Sequence, residues 1–367
     1  MMNKLLITLF TTATASIGII SCATWTQPEA KQIDHIGGYE TMDTPESEAY
    51  YQSLREWKKT AINYGRPVSF GWFSNWSPTG PIRKGYLSAV PDSMDIISMW
   101  SGAPAKADLT EAQQRDKDIA RKKKGIKLLE VSLLSHLGKG RTPAEVYEKV
   151  NRQAEAEGWS DDKRAHEQKL ARWDYWGFTS HELGADDHYA ALAKFAKALC
   201  ESLDENEWDG FDIDWEPGNG FNDMDGTLNN GPTIEFLIKE MGKYIGPKSD
   251  PDNKGHKLLC IDGHINSFNP EIGEYVDYWI SQSYGHVPSV LSTPDERPEK
   301  LIITDNFESS ATGGGVLLRQ AAVTPKGGVG AYRFDNDYNN FPDYKWMRQA
   351  IQINLQSYRE WKDKQDR

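Results

Sequence analysis

The sequence predicts an α/β protein, a single (β/α)8 barrel of the TIM type. Three observations point there. Eight short apolar runs bounded by turn residues lie between positions 67 and 334, as strands do. Most are separated by stretches with apolar residues at helical spacing, and alternating strands and helices imply parallel βαβ units. One central run alternates apolar and acidic residues, which suits a strand with helices on one face and a barrel lumen on the other.

The elements follow in order. A helix is expected over 47–61, from Tyr50, Leu54 and Trp57 at helical spacing. The first strand is expected over 67–73 and the second over 94–100. A charged helix over 108–124 precedes the third strand, over 126–134. Helices near 143–157 and 187–204 lead to the fourth strand, 210–215. A helix over 232–245 leads to a fifth strand, 257–261. The sixth (276–281) and seventh (301–304) have short connections before them with little helix. A short helix with Leu317, Leu318 and Ala321 precedes the eighth strand, over 328–334, and a helix over 345–362 closes the chain. No internal repeat or low-complexity tract is visible.

Length and composition agree. A chain of 367 residues holds two average domains or one barrel with extensions. Its 13 Trp, 16 Tyr and 12 Phe argue against disorder. The net charge of −12 argues against nucleic acid as a partner, because phosphate binding needs clustered Lys and Arg. The one dense basic run, Arg121 to Lys124, reads as a solvated helix end. Three cysteines give no disulfide framework, and Cys200 and Cys260 read as small buried hydrophobes.

Cys22 differs. Lys4 heads a short basic region, Leu5 to Ile20 is apolar, and Ile19-Ile20-Ser21-Cys22 follows. This is a secretory signal layout, and its end resembles a bacterial lipobox in which Cys22 becomes the lipidated first residue. An ordinary signal peptide cut nearby is the alternative. The expected organisation is a signal peptide over 1–21, a flexible tether over 22–45 and the barrel over 46–367. The mature protein is expected outside the cytoplasm, held to the bacterial cell envelope by lipid alone and monomeric.

The chemical signal is Asp209-Gly-Phe-Asp212-Ile-Asp214-Trp-Glu216. With a period of two, Asp212, Asp214 and Glu216 share one face of the strand, and Phe211, Ile213 and Trp215 the other. Stacked carboxylates about 6.6 Å apart along a strand are costly to bury, so a purely structural core would not select them. Neighbouring carboxylates raise one another's proton affinity. Glu216, last on the strand, suits a general acid for a leaving-group oxygen. Asp214 is placed to bond Glu216 or the substrate, Asp212 to share the proton, and Asp209 to fix the turn into the strand.

These residues resemble the DxxDxDxE signature of glycoside hydrolase family 18, the chitinases and endo-β-N-acetylglucosaminidases. The resemblance covers the barrel from 67 to about 362. It implies substrate-assisted hydrolysis with retention, outside the usual two-carboxylate scheme. The sugar's 2-acetamido oxygen attacks the anomeric carbon, Glu216 protonates the leaving oxygen and then activates water, and Asp214 orients the acetamido group. No metal or organic cofactor is implied.

On the sixth strand stands Gln282-Ser-Tyr284. Family chitinases usually carry Met-x-Tyr-Asp there, and the endo-β-N-acetylglucosaminidases tend to carry Gln-x-Tyr. The resemblance therefore implies Tyr284 as hydroxyl donor to the acetamido carbonyl and Gln282 as a second polar contact. Trp72 and Trp100 are candidates for sugar platforms, with core or rim packing as the alternative. Asn266, Tyr332 and Asp335 are candidates to face the pocket. Chitinases commonly place a Trp under the reacting sugar on the last strand, where this chain has Tyr332 and Phe334. The run from Asp335 to Asn339 lacks the Gly and distal Glu of a calcium loop and reads as a polar loop. His181 and His188 read as surface or capping residues, and no cluster suggests zinc.

The expected activity is an endo-β-N-acetylglucosaminidase acting on the GlcNAc-β-1,4-GlcNAc core of N-linked glycans or glycoproteins. The alternatives are a chitinase on chitin oligomers and a non-catalytic surface glycan-binding lipoprotein.

Overall fold

The computed structural model describes residues 44–217, 225–228, 231–252 and 255–367. The expected signal segment, Cys22 and all but the last two positions of the tether lie outside them. Eight parallel strands close into a barrel in chain order, with the last pairing back onto the first. They are β1 Val68–Trp72, β2 Ile96–Ser98, β3 Lys127–Leu133, β4 Gly210–Trp215, β5 Leu258–Gly263, β6 Tyr278–Ser281, β7 Leu301–Asn306 and β8 Gly328–Tyr332. All eight expected strands are present, with ends that move by no more than two residues. The chain is thus a single (β/α)8 barrel.

The helices are α1 Pro45–Lys59, α2 Glu111–Asp118, α3 Ala144–Glu157, α4 Asp161–Trp176, α5 Asp186–Glu205, α6 Gly231–Met241, α7 Phe307–Ser310, α8 Leu317–Ala321 and α9 Lys345–Gln365. Local chemistry sets their ends. The Thr44 side chain caps α1 through Ser47 N, Pro45 opens the first turn, and Lys58 and Lys59 close the last. The charged helix expected over 108–124 is α2 followed by a π turn, Ile119–Lys123. Helix α4 was not expected. It is polar along most of its length, and its signals were the Ser160 cap and Gly177, which ends it in the left-handed conformation. The connections after β5 and β6 hold only 3-10 turns, as their sequences suggested.

Two apolar layers hold the barrel. The lumen is filled by Val68, Phe70, Trp72, Ile96, Leu129, Cys260, Tyr278, Ile280 and Ile302. Two bulky aromatics on β1 are accommodated because β8 gives up side chains beside them. A Cβ on Gly330 would meet the Phe70 carbonyl oxygen at 2.4 Å. Outside the barrel, Phe211, Ile213 and Trp215 pack with Leu192, Phe195 and Leu199 of α5 and Ile234, Leu237 and Ile238 of α6. The alternation in β4 therefore works as read, with its apolar face to the helices and its acids to the lumen. Cys200 and Cys260 are both buried free thiols.

Three expectations are corrected. The basic run is a solvated face only in part, at Lys122. Lys124 is fully buried, its ammonium 2.7 Å from Asp92 and donating to the Ser88 and Val90 carbonyls. Arg121 holds Asp209 through two bonds of 2.7 and 2.9 Å, and Asp209 also accepts from Leu128 N, which fixes the start of β4. His188 is a core residue: its ring stacks on Phe178 and accepts from Gly184 N. His181 stays near the surface, beside Asp174. The run from Asp335 to Asn339 is a 3-10 turn whose two aspartates are buried, with Asp337 accepting from Met347 N at the start of α9.

The Lys124–Asp92 pair stabilises the underside of β2, and Tyr50 of α1 donates to the other Asp92 oxygen at 2.7 Å. Removing one member of a buried pair leaves an uncompensated charge. Lys124→Met is expected to lower the unfolding free energy by about 3–5 kcal/mol in urea titration. A loss below about 1 kcal/mol, the scale of an exposed pair, would show that the ammonium contributes little.

Candidate active site

The acids of β4 meet a third acid at the C-terminal end of the barrel. Asp212, Asp214 and Asp262 are each almost wholly buried. Asp262 belongs to β5, where the parallel register sets it opposite Asp214. In-phase residues of paired parallel strands point the same way, so Asp214 and Asp262 stand side by side with Asp212 one inward position deeper, and the three carboxyls form one contiguous acid layer in the lumen.

Their partners differ. Asp212 Oδ2 accepts from Ser98 Oγ at 2.6 Å and from Trp72 Nε1 at 3.0 Å. Asp262 Oδ1 accepts from Gln282 Nε2 at 2.8 Å. The remaining buried oxygens, Asp212 Oδ1, Asp214 Oδ1 and Asp262 Oδ2, find no donor among the described side chains. Protons carried by the carboxyls themselves are what can join them.

Burial raises the proton affinity of all three. Asp214 is pushed up to about 7 by burial, then by Glu216 and Asp212. Asp212 is pushed up to about 6 by burial, against the pull of its Ser98 and Trp72 donors. Asp262 goes well above the carboxylate range through burial and the charges of Asp212 and Asp214.

Glu216 stands just beyond β4, half-buried at the mouth. Its seat depends on Gly263. That residue has φ +86°, and a Cβ there would lie 2.3 Å from the Trp215 carbonyl oxygen and 3.2 Å from Glu216 Cγ. Only glycine takes this backbone conformation without strain while leaving room for the Glu216 stem. Farther along the chain, Asp225 pairs with Arg172 and accepts from Trp173 Nε1 on α4.

Aromatic rings surround the acids. Tyr332 lies at the centre, with ring centroids 5.3 Å from Trp100, 6.1 Å from Tyr284 and 6.2 Å from Trp72. Burial and the nearby charges of Asp262 and Asp214 raise the Tyr284 hydroxyl, which therefore stays protonated and able to donate.

The structure thus brings together Asp212, Asp214, Glu216, Gln282, Tyr284, Trp72, Trp100 and Tyr332. Trp72 is 1% exposed and spends its indole N–H on Asp212, so it packs inside the lumen and is not a platform. Trp100, at 40% exposed, presents an open face. Asp335 does not face the mouth: it is buried, accepting from Ser74 N and Asn75 Nδ2, and ties the β8 loop to the β1 loop. Asn266 is exposed on the 3-10 turn after β5 and takes no part in the hydrogen bonds of the acid layer. Phe334 points outward, against Phe73 and Tyr344.

Sequence reading missed Asp262, Ser98 and Gly263. A signal existed for the first: Asp262 follows Cys260 with a period of two at the end of an apolar strand, the same phase as the β4 acids. Among the described residues, no group of His, Cys, Asp and Glu is arranged to hold a metal ion.

Comparison with known proteins gives the following. The family model described as Glycoside hydrolase family 18, BT1044-like, matches residues 26–317. No curated protein matches the chain. A solved structure of BT1044 with a Glu-to-Gln substitution is 26% identical with a TM-score of 0.66, over 87% of this chain and 96% of that one. An endo-β-N-acetylglucosaminidase from Cordyceps militaris, in apo form, is 20% identical with a TM-score of 0.51, over 83% of this chain and 96% of that one. A doubly substituted form of the Cordyceps militaris enzyme, bound to fucosyl-N-acetylglucosamine-Asn, is 18% identical with a TM-score of 0.51, over 85% and 98%. The Cordyceps likenesses are likenesses of fold.

The acid layer sets a pH dependence of stability. A carboxyl whose affinity for protons rises on folding stabilises the fold while protonated and loses that contribution as pH climbs through its folded value. For Asp214 the window runs from 3.8 to about 7. Asp214→Asn is therefore expected to melt above the parent at pH 8, with the gain fading toward pH 4. A variant that melts below the parent at pH 8 in calorimetry would show that the ionised carboxylate is stabilising there.

Proposed function

The chain belongs to glycoside hydrolase family 18, and from this we propose that it is a retaining endo-β-N-acetylglucosaminidase that cleaves the GlcNAc-β-1,4-GlcNAc core of N-linked glycans. The observation that carries the reading is Gln282 and Tyr284 facing the acid layer that ends in Glu216. In the family, Gln-x-Tyr at this position accompanies that activity more than chitin hydrolysis.

The chemistry then divides among the residues. The substrate's acetamido oxygen attacks the anomeric carbon and forms an oxazolinium, so no protein nucleophile is required. Glu216 gives its proton to the leaving oxygen. It then takes a proton from the water that opens the oxazolinium, and the configuration is retained. Asp214 accepts from the acetamido N–H, turning the group toward the anomeric carbon and balancing the positive charge of the new ring. Tyr284, a donor held protonated, bonds the acetamido oxygen. Among the described residues its hydroxyl has no other hydrogen-bond partner. Asp212, fixed by Ser98 and Trp72, supports Asp214 from below. Trp100 offers a flat exposed face on which a pyranose ring stacks, and Tyr332 stands in the place of the usual last-strand Trp.

We propose further that the mature protein is exported, lipidated at Cys22 and anchored to the cell envelope, and that it acts as a monomer on glycoprotein glycans. Export and lipid anchoring rest on the lipobox-like end of the signal layout.

The test is mass spectrometry of two defined N-glycoproteins, one high-mannose and one complex, after incubation with the mature protein. A product that retains a single GlcNAc supports the reading, and the substrate that reacts gives the specificity. Cleavage of chitin oligomers alone would transfer the assignment to a chitinase, and glycan binding without cleavage to a lectin. Glu216→Gln is expected to lower kcat by at least about 10³-fold, within the range for a general acid, with an unchanged circular dichroism spectrum. Near-parental turnover in that variant would remove Glu216 from the mechanism.

A further inference from the structure

On the functional reading above, we propose that Asp262 is a positioning residue for hydrolysis, donating a hydrogen bond from β5 to Asp214 and holding that carboxyl aimed at the acetamido group. The family signature ends with β4 and does not include it.

The geometry carries the assignment. Asp262 sits in register with Asp214. One of its oxygens is taken by Gln282 Nε2 at 2.8 Å. Its other oxygen is buried, as are Asp212 Oδ1 and Asp214 Oδ1, and none of the three has a donor among the described side chains, while the Asp262 carboxyl lies within hydrogen-bonding reach of both β4 acids. Three carboxylates cannot all be ionised side by side in a buried layer. Where the proton resides follows from the partners. Asp212 has two neutral donors, Ser98 and Trp72, which favour its ionised form. Asp262 has one, and it faces the charges of both β4 acids.

Burial and those two charges hold its proton far above the carboxylate range, and the bond to Asp214 raises it further. The same bond favours the ionised form of Asp214. A protonated Asp262 is therefore a hydrogen-bond donor, and Asp214 accepts on one oxygen and keeps the other for the substrate N–H. Gln282 becomes the residue that orients Asp262, one step removed from the sugar. The other groups facing this pair are Glu216 beyond β4, Tyr284 after β6, Tyr332 on β8 and Cys260 on β5 itself.

Two substitutions separate donation from mere filling. Asn presents the same pattern as a protonated Asp: an amide N–H toward Asp214 and an oxygen toward Gln282. Leu fills similar space and does neither. The parent is assayed first, on an N-glycoprotein and on chitin oligomers. If it cleaves neither, the functional reading fails and this proposal fails with it. If it cleaves either, that substrate is used for the variants.

Asp262→Asn is expected to keep kcat within about tenfold of the parent, because the donor is restored. Asp262→Leu is expected to lose about 100-fold in kcat with little change in KM, the scale of a misplaced catalytic group. The acidic limb of its pH profile is expected to move upward, since Asp214 without its donor keeps its proton to higher pH. Two results overturn the proposal while leaving the functional reading intact. If both variants match the parent in kcat and pH profile, Asp262 only fills the lumen. If Asn falls as far as Leu, an ionised carboxylate is required and donation is not the role. Should circular dichroism show Asp262→Leu unfolded, Asp262→Ser, too short to bridge to Asp214, takes its place under the same criteria.

Discussion

Three carboxyl groups buried together in the lumen of a barrel constrain the rest of this molecule. Left alone, Asp212, Asp214 and Asp262 would repel one another in a medium that cannot screen them. The barrel accepts them because burial raises their affinity for protons and because donors arrive from other strands of the barrel. Trp72 comes from β1, Ser98 from β2 and Gln282 from the end of β6. A polar network of this kind is high-stakes: satisfied, it holds each member in one orientation. The same pressure that makes the layer costly to the fold keeps protons available at neutral pH, where acid chemistry on a glycosidic oxygen needs them.

The surrounding structure follows from that constraint. Below the acids, the lumen is apolar and aromatic, with Val68 and Phe70 seated against the glycines of β8. Around the acids, Tyr332 joins Trp72, Trp100 and Tyr284 into one wall from four different strands or their ends. Gly263 gives up a side chain so that Glu216 has a place at the mouth. The supporting ion pairs lie elsewhere: Arg121 with Asp209 at the start of β4, Arg172 with Asp225 beyond its end. The start of the strand that carries the acids is thus fixed by a charge pair that takes no part in the acid layer.

Much of this could be read from local pattern. The strands announced themselves because a parallel barrel strand is a short apolar run between turns, and the phase of β4 placed its acids in the lumen without further information. Helix α4 escaped because its sequence is polar and its apolar contribution is gathered at its C-terminal end, in Leu170, Trp173 and Trp176. Lys124 and His188 were misjudged for one reason. A charged or polar side chain is buried when its partners come from distant segments, here Asp92 for Lys124 and the Thr227 carbonyl for His188, and a local window holds no sign of them.

The sequence by itself determined the barrel, the inward phase of Asp212 and Asp214, and the family, because each rests on spacing along a single strand or on the alternation of short elements. Only the tertiary structure decided which residues complete the layer. Asp262 becomes a partner of Asp214 through the β4–β5 register, Trp72 turns from a surface platform into a donor, and Asp335 turns from a pocket residue into a clasp between two loops. Registers and loop contacts bring together residues tens to hundreds of positions apart, and the energy that ranks one pairing over another depends on burial that exists only once the barrel has closed.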